Sequence, residues 1–121
     1  MKRYVAVLIC MLLFVLTDTV AQKKPTALEL EKGKMLAKKC IDCHGTTNIA
    51  LADPLSGIRK IRTANYIYNL MKNPMRFADE NKTAKKAFAK RGLQMPPFPN
   101  LSKEDIKAIL DYFDSIPNKK N

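Results

Sequence analysis

Cys40-Ile41-Asp42-Cys43-His44 reads C-x-x-C-H. Cysteines three positions apart lie on about one helical turn and present both sulfurs to one edge of a flat ligand. This is the spacing at which two thiols add to the two vinyl groups of one haem. The imidazole directly after the second cysteine then sits beneath the ring and can offer Nε2 to the iron.

Other uses of these residues fit less well. A zinc site needs four Cys or His ligands, or three and a catalytic water, and beyond the motif the chain has only Cys10. A thioredoxin-type dithiol belongs beside a βαβ pattern, and no strand-rich stretch flanks this one. A structural disulfide between Cys40 and Cys43 leaves His44, the single histidine, without a role.

The N-terminus points to export. Met1-Lys2-Arg3 is a short positive region, Tyr4 to Leu16 is almost wholly apolar, and Thr19 and Ala21 are small residues where a signal peptidase reads. The apolar run is short for a membrane span. Residues 1–21 therefore read as a signal peptide cleaved near Ala21, and 22–121 as the mature domain. Cys10 as a lipoprotein anchor is the weaker reading, because Ile9 is not the small residue such cleavage prefers. Haem of this covalent kind is attached outside the cytoplasm, so the two signals agree on a periplasmic or equivalent extracytoplasmic location.

About 100 residues then remain, enough for one small domain. A chain of this size buries only about 60–65% of its unfolded surface, and it contains no Trp. Covalently held haem would supply the missing apolar mass.

Periodicity predicts helices and loops throughout, an all-α domain. Thr26 and Glu29 form a candidate capping box for a helix running through Gly33, Leu36 and Ala37 into the C-x-x-C-H motif. Gly33 either admits a crossing helix or faces solvent. A second helix starts near Thr63, carries Tyr66, Ile67, Leu70 and Met71 on one side, and stops at Pro74. A third spans Thr83 to Arg91 with Gly92 as C-cap. The last starts at Ser102, with Asp105 at N3, Leu101 and Ile106 placed as a hydrophobic staple, and a stripe of Ile106, Ile109, Leu110 and Phe113 before Pro117.

C-I-D-C-H after a helix containing Gly33, the loop Met95-Pro96-Pro97-Phe98, and a final helix opening Leu101-Ser102-Lys103-Glu104-Asp105 together resemble a class I c-type cytochrome, from about Glu31 to Ile116. The resemblance implies a small helical domain wrapped around one haem c, attached through Cys40 and Cys43, with the first and last helices crossing near it. It also implies His and Met axial ligands and one-electron transfer. Met95 is the expected distal ligand beside His44, because Pro96 forces an extended backbone before it and the following prolines stiffen the loop. Met75 is the competing methionine, while Met35 and Met71 are expected in the core. In Asp53-Pro54-Leu55-Ser56-Gly57, Pro54 resembles the proline whose carbonyl accepts a hydrogen bond from the ligand histidine's Nδ1–H, which would fix its tautomer. Tyr66 and Asn69 are candidates for a propionate partner.

The sequence carries 22 Lys and Arg against 11 Asp and Glu, a formal +11. Loss of Lys2, Arg3 and Asp18 with the signal lowers this by one. Such a surface suits a redox partner with an acidic docking face and makes association salt-sensitive. An anionic membrane surface is the second choice. Nucleic acid is not expected, since no nucleic-acid fold is recognisable and export removes the opportunity. The expected function is a periplasmic one-electron carrier and not an enzyme, no convincing set of catalytic acids and bases being present. The alternative is a haem subunit or gas-binding sensor with an open or labile distal site.

Overall fold

Thr26 starts the first helix by the expected device. Its hydroxyl accepts from the Glu29 N–H at 3.2 Å, and the Glu29 carboxylate accepts from the Thr26 N–H at 2.7 Å. The computed structural model describes residues 23–45 and 52–117, and within these the chain is helical with no strand. The elements are α1 (Ala27–His44), a 3-10 turn (Ile58–Lys60), α2 (Ala64–Lys72), α3 (Pro74–Glu80), α4 (Lys82–Arg91) and α5 (Lys103–Ser115). The signal-peptide reading of 1–21 lies outside the described residues.

The frame is the packing of α1 on α5. Gly33, Ala37 and Cys40 recur on one face of α1 and are all buried. They meet the α5 stripe of Ile106, Ile109, Leu110 and Phe113, also buried. Gly33 permits the close approach: a Cβ there would overlap the Ala108 carbonyl oxygen and sit 2.7 Å from its carbon. Of the two readings of this glycine, the crossing is the one realised. Ile67 and Met71 of α2 complete the cluster.

A second contact crosses the same interface. Lys32 of α1 reaches the Asp105 carboxylate at 2.6 Å, while Asp105 also caps Ser102 in the α5 capping box. The Lys32 hydrogen bond, followed by those from Ser102, pulls the Asp105 carboxyl down to about 2 from an ordinary 3.8. A carboxyl lowered on folding stabilises the fold above its unfolded value, and that contribution is lost as pH falls toward the folded one. Acid unfolding should therefore steepen between about pH 4 and pH 2. In Asp105→Asn, the slope of denaturation midpoint against pH across that window should flatten.

Two findings depart from the sequence reading. Pro74 ends one helix and also begins another. Asn73 caps α2 through its N–H to the Asn69 carbonyl, and its side chain accepts from the Arg76 N–H to open α3, with Pro74 at the first turn. Met35, expected in the core, is 59% exposed, whereas Met71 is buried as expected. The third expected helix is α4. It begins one residue early, where Asn81 accepts from the Thr83 and Ala84 N–H groups, and Gly92 ends it at φ 65°. That left-handed geometry costs glycine little.

Candidate haem site

α1 delivers the motif on its last turn. Cys40 is buried among Ala37, Ile67, Met71 and the α5 stripe, while Cys43 is exposed; both are free thiols. Burial, followed by the neighbouring Cys43, pushes the Cys40 thiol up. No three His, Cys, Asp or Glu side chains among the described residues converge as a metal-ion site would require.

His44 is half-buried, and its Nδ1 lies 2.6 Å from the Asp53 carbonyl oxygen. An Nδ1–H donating to that carbonyl fixes the tautomer in which Nε2 keeps its lone pair for a metal. This corrects the expectation for Pro54, whose own carbonyl is not the partner. The acceptor falls one residue earlier, on the peptide that Pro54's nitrogen closes. Pro54 still bears on the contact, because its ring disfavours helical backbone at Asp53.

The segment around that carbonyl is pinned on three sides. The Ala52 N–H donates to the Cys43 carbonyl at 2.8 Å. Arg91, at the end of α4, pairs with the Asp53 carboxylate. Further along, the Gly57 N–H donates to Asp114 at 2.6 Å, and Arg59 bridges Asp111 and Asp114 of α5. Asp111 is only 5% exposed. Burial alone would raise its carboxyl, but hydrogen bonds from Lys107 and Arg59 outweigh this and hold it below the usual range. Neither Asp53 nor these arginines stand out in the sequence, since the partners lie tens of residues apart.

Met95 is half-buried and packs against the cluster that contains Cys40. Its loop is tied to the end of α2. The Phe98 N–H donates to the Met71 carbonyl at 2.8 Å, and the Lys72 ammonium donates to the carbonyls of Pro99 and Leu101. Lys72 thus holds the end of the proline stretch, a contact that no local pattern announces. Met75, on α3, is 46% exposed. Tyr66 packs edge-on against Phe77 with ring centroids 4.9 Å apart and has the Arg62 guanidinium over its face.

The donor chemistry fits haem c: two free thiols on one helical turn, an imidazole of fixed tautomer, and a thioether beside the same apolar cluster. The Cytochrome c family model matches residues 30–117. Among solved structures, a cytochrome c from Rhodothermus marinus is similar, with TM-score 0.65 and 26% identity over 80% of this chain and 83% of that one. No curated protein matches the chain in sequence. With the match covering most of its length, the chain belongs to the cytochrome c family, a haem electron-transfer protein that carries haem c through Cys40 and Cys43.

Proposed function

We propose that the protein is a diffusible one-electron carrier of the periplasm, with His44 and Met95 as the two axial ligands. The observation that carries this reading is the 2.6 Å contact between His44 Nδ1 and the Asp53 carbonyl, which leaves Nε2 as the coordinating nitrogen. Met95, half-buried against the cluster around Cys40, supplies the second donor. Haem c, once bound, supplies the Fe(III)/Fe(II) couple. The chain's part is to hold an imidazole and a thioether in place and to exclude water between them, and a thioether favours the reduced state. The N-terminal leader supports export, and no described helix is long and apolar enough to cross a membrane.

Partner recognition is assigned to the basic surface, with α4 as its densest part. This helix has four lysines and Arg91 and no acid. Lys82, Lys86 and Lys90 follow one another at i, i+4 and i+8 on an exposed edge. Like charges at that spacing destabilise a helix by about 0.2–0.5 kcal/mol per pair, whereas an acidic partner face would turn the repulsion into steering. An anionic lipid surface is the second fit for the same charges.

The test is an optical spectrum of the haem-loaded protein, oxidised, reduced, and reduced under carbon monoxide, beside the same spectra of Met95→Ala. The wild type is expected to show the weak far-red sulfur-to-iron band when oxidised and to ignore carbon monoxide. The variant should lose the band and bind the gas. A wild type that takes up carbon monoxide readily, with Met95→Ala unchanged, would replace the carrier by the open-site sensor or subunit.

A further inference from the structure

Asp53 is used twice. Its backbone carbonyl lies 2.6 Å from His44 Nδ1, and its carboxylate pairs with Arg91. Arg91 ends α4 and precedes Met95 by four residues. One residue thus joins the peptide that orients the proximal imidazole to the helix leading into the distal loop. The other end of the same segment is fixed separately, through Gly57 and Arg59 to α5.

As a source of stability the pair is minor. Arg91 and Asp53 side chains are 40% and 68% exposed, and exposed ion pairs contribute little to stability. Its position gives it another use. A carbonyl held firmly against Nδ1–H makes the imidazole a stronger donor to iron and favours the oxidised state. Releasing the carboxylate leaves the Asp53 peptide held on the Cys43 side by the Ala52 N–H bond alone, which loosens its contact with His44 and weakens that donor.

We infer that Asp53 and Arg91 form a latch, a positioning pair that sets the His44 hydrogen bond and through it the reduction potential. This rests on His44 as the iron ligand, and goes beyond the carrier reading by assigning two residues that touch no cofactor atom in it. The latch and the simple electric field of the two charges predict different behaviour. By field alone, Asp53→Ala removes a negative charge and raises the potential, Arg91→Gln removes a positive charge and lowers it, and the two shifts add in the double variant. A latch is broken equally by either substitution. Each single variant then contains the same upward contribution, which the double variant contains once and not twice.

The experiment is a double-mutant cycle read as reduction potential, with the wild type, Asp53→Ala, Arg91→Gln and the double variant all haem-loaded. Circular dichroism confirms that each retains the fold, as both sites are on the surface. The double variant is expected to shift upward by less than the sum of the singles. Exchange of the His44 Nδ1 proton, followed by NMR in the reduced protein, is expected to quicken in all three. Additive shifts with unchanged exchange would overturn the latch and leave only the field. Carbon monoxide binding by the wild type would fail the carrier reading alone, since a couple carried by His44 still reports the cycle.

Discussion

Gly33→Ala is expected to destabilise the haem-loaded protein by about 3 kcal/mol. On an exposed helical site the same change would help, since alanine is the better helix former by about 1 kcal/mol. The sign is therefore decided by packing. The added methyl group would run into the carbonyl of Ala108, which is helical backbone and cannot rotate aside, and would meet Tyr112 Cβ at 3.0 Å. α1 and α5 must separate to admit it, and the cluster of Ala37, Cys40, Ile109 and Phe113 between them loses contact along its length. Guanidinium unfolding of both proteins reads the effect as a lower midpoint. A midpoint raised by the alanine would mean that the two helices slide without cost.

The second large effect concerns haem itself. With Cys40→Ser and Cys43→Ser together, the chain has no covalent hold on the group, and cooperative folding should be lost at room temperature. The buried cluster contains one aromatic residue, Phe113, beside Ala37, Cys40 and a few aliphatic side chains. Leu28, Met35, Ile61, Met75 and Leu93 remain exposed. That is a thin apolar balance for a domain of this size, where burial is already marginal. The expected result is a far-ultraviolet circular dichroism spectrum much weaker than that of the loaded protein and a sloping thermal trace without a sharp transition. A sharp transition at the wild-type temperature would show that the polypeptide alone supplies the core.

Much of this architecture was legible where the signals are local. Thr26 with Glu29, and Ser102 with Asp105, are capping boxes within four residues, and both form as expected. The α5 stripe and Gly92 follow from periodicity and backbone geometry in the same way. α3 is hidden because Pro74 reads as a stop, although a proline that ends one helix suits the first turn of the next when an Asn precedes it. The haem attachment is legible through Cys40 and Cys43, whose spacing and chemistry identify them, and the same reading offers His44 and Met95 as the ligands proposed above. The hydrogen bond to Asp53 is not legible, because a backbone carbonyl carries no residue identity and neighbouring ones differ only in the path of the chain. Arg91 and Lys72 were hidden for a related reason. Their partners, Asp53 and Pro99, lie 38 and 27 positions away, and no spacing rule connects them.

The crossing of α1 and α5 also joins the two ends of the folded chain. Everything between them forms one closed circuit, and the entropy of closing it grows only with the logarithm of its length. Away from the shared capping residues Asn73 and Asn81, the chain between α1 and α5 can therefore lengthen at small thermodynamic cost, while the seam at Gly33 and Ala108 admits no extra atom. A pull on either terminus loads that seam first, so mechanical strength and tolerance of insertion reside in opposite parts of the molecule.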